Sequence, residues 1–376
     1  MNVVRFLTLG TLALTALLAA CSSTLQRPKP AEITKVEVLQ EVRTVWSARL
    51  GEVKFPLVPL TLSNARVALA DSRGTVAVLD AQTGKDVWRI NLDQPLTAGV
   101  GGDDQHLAVI TRANDLVVMR EGKVLWRQNL MAESFTAPLV AGGRVFALSG
   151  DRKVHAFDAA TGRRLWNQQR TGEPLVLRQN GLLMAFKNTL IVGFSGRMAG
   201  LNPDNGVARW ETAIATPRGT NDMERLVDLL GPAYRQGDWV CARAFQSQVG
   251  CVDAERGQVL WSRASVGERT VVGNGQWIFS ILSNGVVQAI DPKTGERVWE
   301  SERLKYRQLS AAQVTPRGLL VADAGGWVYL MSLADGKLLN RLRMEGQELA
   351  TLPALVGTNQ VVLVARDGRV TGLLIP

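Results

Sequence analysis

"DAATGRRLW" fills residues 158–166, and close variants of it recur along the chain. They are "DAQTGKDVW" ending at Trp88, "MREGKVLW" at Trp126, "NPDNGVARW" at Trp210, "DAERGQVLW" at Trp261 and "DPKTGERVW" at Trp299. With Trp46 the tryptophans of this pattern stand at 46, 88, 126, 166, 210, 261 and 299, and Asn340 in "LADGKLLN" fills the next station. The spacing stays near 40 residues except for one gap of 51, between Trp210 and Trp261. The text between two stations, "SFTAPLVAGGRVFALSGDRKVHAFDAATGRRLW" (134–166), reads as four short β-rich runs separated by Gly-rich turns. No long helical periodicity interrupts the chain after its first residues.

A period near 40 with four strands per unit is the arithmetic of a propeller blade. Eight third-strand runs occur: "GTVAVLD", "NDLVVMR", "RKVHAFD", "GRMAGLN", "SQVGCVD", "GVVQAID", "GWVYLMS" and "GRVTGLL". The last lacks a Trp strand, whereas "VRTVWSARL" (42–50) precedes the first full unit. The expected fold is therefore all-β: an eight-bladed β-propeller of four-stranded antiparallel blades over 36–376, its last blade closed by an N-terminal strand. In each phrase the Asp ties the turn to backbone amides, the Gly takes a positive φ, and the Trp packs flat between blades. Trp46, Trp88, Trp126, Trp166, Trp210, Trp261 and Trp299 are thus blade-docking residues.

Bulk composition fits this reading. Of 376 residues, 46% are hydrophobic and 20% charged, which is ordinary for a globular chain. The formal charge is +9, but Lys and Arg are scattered and do not alternate with exposed aromatics, so nucleic-acid binding is not expected. Two His in the whole chain argue against imidazole-based chemistry. His106 and His155 fall in different units with no evident partner. "GFSGR" (193–197) lacks the last Gly of a nucleophile elbow. "GVGGDD" (99–104) has no helix after it to bind phosphate and reads as a blade turn. Asp80, Asp158, Asp253 and Asp291 are turn residues. No set of carboxylates suggests a calcium shell, and neither metal nor cofactor is expected.

The first residues are an address. An apolar run from Phe6 to Ala20 follows Arg5, too short for a good membrane span and suited to export. It ends in Leu-Ala-Ala-Cys, a match to the bacterial lipobox, so 1–20 reads as a lipoprotein signal peptide, Cys21 as the lipidation site and 21–35 as a tether. Several acyl chains anchor firmly, each CH₂ adding about 0.8 kcal/mol. Ser22, with no Asp after the Cys, points to the inner leaflet of the outer membrane and a body in the periplasm. In that oxidising compartment Cys241 and Cys251, on consecutive strands, are expected to form a disulfide, two buried thiols being the alternative.

The A-x-D-x-x-T-G-x-x-x-W phrase is similar to the repeat named after pyrroloquinoline quinone enzymes. With the lipobox, the length and the N-terminal closing strand, the chain resembles the BamB family, lipoprotein subunits of the outer-membrane β-barrel assembly complex. The resemblance spans nearly all of 35–376. It implies a non-enzymatic scaffold that binds the periplasmic region of the BamA-type barrel subunit and supports folding and insertion of outer-membrane proteins, with unfolded precursors as possible further partners. The family's contact pattern falls on "LVLR" and "ERLVDLLG": Leu175, Leu177, Arg178 and Asp228, with Leu230 where a second acid would stand. The residues point to the same place, since the long gap before Trp261 is filled by "TPRGTNDMERLVDLL" and long insertions carry function. Two alternatives stay open at this stage. Leu175 and Leu177 could share the inward face of a blade strand, and Arg178 could pair with Asp228. The rival function is a quinoprotein-type dehydrogenase using the propeller axis, but the vicinal Cys-Cys common in those enzymes is missing here.

Overall fold

The computed structural model describes residues 28–33, 36–54, 58–172, 175–310, 312–344, 348–349 and 352–376. The signal peptide, Cys21 and most of the tether lie outside these residues. The described chain carries 32 strands and no helix. They form eight four-stranded sheets. Seven blades are built from consecutive strands. Blade 8 takes β30 (Ala354–Val356), β31 (Gln360–Val364) and β32 (Arg369–Leu374) from the C-terminus and β1 (Arg43–Arg49) from the N-terminus. Trp46 sits opposite Gly372 in that closing pair.

The second and third strands of each blade are almost wholly buried, as in β3 (Arg66–Ala70) and β4 (Thr75–Asp80). Outermost strands alternate: β9 (Lys123–Asn129) runs exposed, half-buried, exposed throughout. Apolar side chains of neighbouring blades interlock, so the core is a series of layers around the ring; Val67 and Leu79 of blade 1 share one with Val109 of blade 2 and Val362 of blade 8.

The repeated phrase is a contact between blades. Six tryptophans donate their indole N–H to a carbonyl in the third-to-fourth-strand turn of the next blade, at 2.7–3.1 Å; Trp46 reaches Ala81 and Trp261 reaches Pro292. The ring lies on that turn's Gly. A Cβ at Gly84 or Gly295 would stand 2.3 or 2.5 Å from the rings of Trp46 or Trp261, so the Gly answers both a positive φ and a close approach. The Asp caps its turn: Asp158 Oδ1 accepts from the amide and hydroxyl of Thr161 at 2.8 Å each. Of the seven tryptophans only Trp166 and Trp261 are buried, because adjacent blades diverge towards the rim. Trp88 lacks the indole bond among the described residues, its neighbour turn at Glu121–Gly122 being shorter than the others. Asn340 holds the carbonyl of Gln40 instead of a neighbouring turn.

Two expectations need correction. The packed chain starts before residue 36: the Ala31 amide donates to the Lys305 carbonyl at 2.9 Å, Arg341 donates to the Ile33 carbonyl, and Ile33 packs against the core between blades 6 and 7. "GVGGDD" is not simply a turn, since Gly101–Gly102 forms β6, the innermost strand of blade 2. Any side chain on Gly101 would strike the backbone of Pro138.

Candidate partner-binding site

Connections from one blade to the next, and the turns between second and third strands, share one face of the ring. Two of those connections break the repeat. One runs over 170–182, between β13 (Arg164–Gln169) and β14 (Leu183–Phe186). The other covers 214–233, between β17 (Ala208–Ala213) and β18 (Tyr234–Gln236). They are zipped together: Leu182 N donates to Leu229 O at 3.1 Å, Gly231 N to Asn180 O at 2.9 Å, and Gly181 bridges Leu230. Leu226, Val227, Leu229 and Leu230 are all buried, which accounts for the apolar half of "ERLVDLLG".

Asp228 turns into this zipper. Its Oδ1 accepts from the Ser195 amide at 2.9 Å and from Arg152 Nη1 at 3.1 Å, and its Oδ2 accepts from the Leu177 amide at 3.0 Å. Arg152 Nη2 also donates to the Leu175 carbonyl at 2.9 Å. The Asp228 carbonyl takes the Phe245 amide from blade 5. One buried ion pair therefore joins blades 3, 4 and 5 and sets the path of 175–177. Charges removed from water in this way need partners on most lone pairs, and these have them. Arg152 was not visible in the sequence, where it is one more basic residue in a hairpin turn; its φ of 62° places it among the few non-Gly left-handed residues.

The outward edge is different. Leu175 and Leu177 are half-exposed and lie in no strand, so they do not share the face of a blade strand. Arg178 does not pair with Asp228. Its side chain is 75% exposed, 3.5 Å from Glu133 and stacked over Phe135 at 5.3 Å. Behind it, Phe135, Val176, Leu177 and Asp228 line a small cavity of about 50 Å³. Leu230, the departure from the resembled acidic pattern, is 2% exposed and pinned by its amide to the Arg243 carbonyl. That position is interior and offers nothing to a partner. Cys241 and Cys251 face each other on β19 (Trp239–Arg243) and β20 (Gln248–Asp253) of blade 5 and form a disulfide, with Cα atoms 4.0 Å apart.

Polar groups that could suggest catalysis are otherwise engaged. His155 does have neighbours, contrary to expectation: Ser149 Oγ lies 3.1 Å from its Nε2 and also donates to Asp151. The order is Asp–Ser–His, with the His Nδ1 buried and unpartnered. A catalytic triad needs the carboxylate on the other ring nitrogen. His106 lies at a turn with Arg120 and Asp103. The carboxylates of Asp80, Asp253 and Asp291 cap their own turns, so the repeat carboxylates do not form a donor set for calcium or a quinone on the axis.

These features define a propeller of the pyrroloquinoline-quinone-type repeat with one non-repeating, cross-braced connector face. A family model described as outer membrane protein assembly factor BamB matches residues 72–301 and 283–374. Proteins of that name from Burkholderia pseudomallei and Bordetella pertussis are 34% and 32% identical, each match covering 94% of this chain and 94% of the relative. The crystal structure of BamB from Moraxella catarrhalis superposes with a TM-score of 0.79 at 22% identity, covering 89% of this chain and 100% of that one. Quinohemoprotein alcohol dehydrogenase from Comamonas testosteroni superposes at 0.71 with 12% identity over 90% of this chain and 77% of that one, a likeness of fold alone. The chain belongs to the BamB family of outer membrane protein assembly factors.

Proposed function

We propose that this protein is a non-enzymatic scaffold in outer-membrane β-barrel assembly, and that the edge formed by Leu175, Leu177 and Arg178 binds the periplasmic region of a BamA-type barrel subunit. The observation that carries this reading is the pairing of an exposed guanidinium and two half-exposed leucines with a backbone fixed from behind by Arg152 and Asp228. Preorganised apolar anchors beside an arginine make an effective contact, because little freedom is lost on binding. Asp228 acts through Leu177 and does not touch the partner. Lipid on Cys21 would hold the ring at the inner leaflet of the outer membrane, facing the periplasm, and the disulfide suits that compartment.

The test is a pull-down of the barrel assembly complex from membranes with wild type and with Arg178→Ala, alongside thermal melts. The expected result is unchanged melting and barrel-subunit capture reduced at least about tenfold, as for a central interface arginine. Full capture by the variant would place the contact elsewhere. Failure of wild type to capture any barrel subunit would sink the reading.

A further inference from the structure

The formal charge of +9 has a location. The eight outermost strands carry eleven Lys and Arg against three carboxylates, Asp86, Glu211 and Glu300, a surplus of eight on the outer wall alone. The surplus is uneven. On blade 4 Glu211 pairs with Arg197, and on blade 6 Glu300 pairs with Arg297. On blade 8, β1 has Arg43 and Arg49 and no acid, and on blade 2, β9 has Lys123 and Arg127 and no acid; on blade 7, β29 (Leu338–Arg343) also has two, Arg341 and Arg343, but both lie over Trp327 and Arg341 donates to the Ile33 carbonyl. Between blades 8 and 2, β5 (Asp86–Asn91) of blade 1 carries Arg89, which binds Asp86 and also donates to the Arg49 carbonyl, joining the walls of blades 1 and 8. Among the described residues no carboxylate pairs with Arg49, Lys123 or Arg127, and Arg43 meets only Glu41, at 4.0 Å.

The same three strands expose an aliphatic residue just before each Trp, Val45 at 43%, Val87 at 50% and Leu125 at 42%; blades 5 and 6 do so too, at Leu260 and Val298, but with a single basic residue on each strand, Arg263 and the Glu300-paired Arg297. Along β9 the outward row is Lys123, Leu125, Arg127; along β1 it is Arg43, Val45, Ser47, Arg49. Each of these strands is terminal in its sheet, so one backbone edge is unpaired. A strand added to such an edge lays its side chains directly opposite this row. The complement of basic–apolar–basic is acidic–apolar–acidic.

We propose that the outer wall of blades 8, 1 and 2 binds an acidic, amphipathic stretch of polypeptide in extended form, added to a free strand edge. This wall shares no residue with the connector site, so the two readings can fail separately. The competing use of edge Lys and Arg is protection against edge-to-edge aggregation.

The experiment is fluorescence anisotropy of the whole protein with a fluorescein-labelled peptide of Glu-Ser-Val-Ser repeats, which sets Glu and Val in turn along one face of a strand (the Val–Glu peptide), with the Lys-Ser-Val-Ser counterpart (the Val–Lys peptide) as comparison. Wild type is expected to bind the Val–Glu peptide, and salt should weaken that binding. The Lys123→Glu, Arg127→Glu double variant, with an unchanged melt, should bind it about tenfold or more weakly, as charge reversal at a close contact does. A matched double variant on blades 5 and 6, Arg263→Glu with Arg297→Glu, should bind as wild type does. Equal binding of the Val–Lys peptide, or equal loss in the blade 5 and 6 variant, would overturn the proposal. So would absence of peptide binding with aggregation of the blade 2 variant, which would mark edge protection. Phosphatidylglycerol vesicles sedimenting with wild type, in place of peptide binding, would assign the wall to a lipid surface and also overturn it.

Discussion

The rim of the ring and its connector face hold neighbouring blades together by opposite means. At the rim the contact is aromatic and repeated: at six of the eight junctions a Trp from one blade lies on the Gly of the next and donates to its turn. On the connector face of blades 3 to 5 the contact is ionic and stands outside the repeat: Asp228 gathers Arg152, Ser195 and Leu177 from segments 76, 33 and 51 residues away. A repeated contact spreads the stability of the ring over many equivalent joints, as nearest-neighbour interfaces do in other repeat proteins. A contact outside the repeat concentrates it at one place, and that is where a shaped surface is needed.

The comparison can be broken most sharply at Asp228. Asp228→Ala removes the carboxylate that Arg152 binds and that accepts from the amides of Leu177 and Ser195. Removing one partner of a buried pair costs about 3–5 kcal/mol. Urea unfolding should show that loss, and barrel-subunit capture should fall in Asp228→Ala even where it remains folded, because the path of 175–177 is no longer held. A loss under about 1 kcal/mol would mean the pair behaves like a surface one and the cross-brace is not what fixes the site.

At the rim, Trp261 and Trp88 occupy equivalent stations with unequal surroundings. Trp261 is 5% exposed and donates to Pro292; Trp88 is half-buried and, among the described residues, makes no such bond. Trp261→Ala is expected to cost about 3–5 kcal/mol, as full burial of a large aromatic predicts, and Trp88→Ala less than half of that. Equal losses would show that blade docking depends on ring area alone and that the indole bond adds nothing.

Much of the fold was legible because a propeller repeats its physics. The Asp-turn-Gly-Trp phrase fixes one hairpin, and counting its stations and third-strand runs leads to eight blades and to β1 as the closing strand. What the period could not carry was whatever breaks it. Arg152 reads as an ordinary turn residue until the fold brings it against Asp228. The polar half of "ERLVDLLG" read as a contact, yet Asp228 faces inward, since its lone pairs are claimed by amides from two other segments. Residues 31–33 read as tether because Ala31 and Ile33 dock through backbone groups and one apolar side chain, Ile33, too little for a pattern to announce. Arg178 was named through the family resemblance; its exposure and its place over Phe135 come only with the fold.

His155 tests where the regular part of blade 3 gives way to the irregular face. The equivalent station holds Ala77, Val117, Ala199 and Gly250 on blades 1, 2, 4 and 5 but Gln288, Tyr329 and Thr371 on blades 6, 7 and 8, so His155 is one of four polar side chains at a station that is apolar elsewhere. Burial pushes its pKa down from 6.5 to about 4, with nearby Asp151 opposing and Arg164 and Lys153 adding to the shift. In the unfolded chain the same group titrates near 6.5. Between those two values the unfolded state binds more protons, so stability is complete above pH about 6.5 and falls as pH drops towards 4. The loss should reach about 3 kcal/mol at most. His155→Val should flatten that dependence in urea unfolding followed across the same window. If wild type and variant lose stability in parallel, the acid sensitivity belongs to the capped carboxylates of the repeat and not to this boundary.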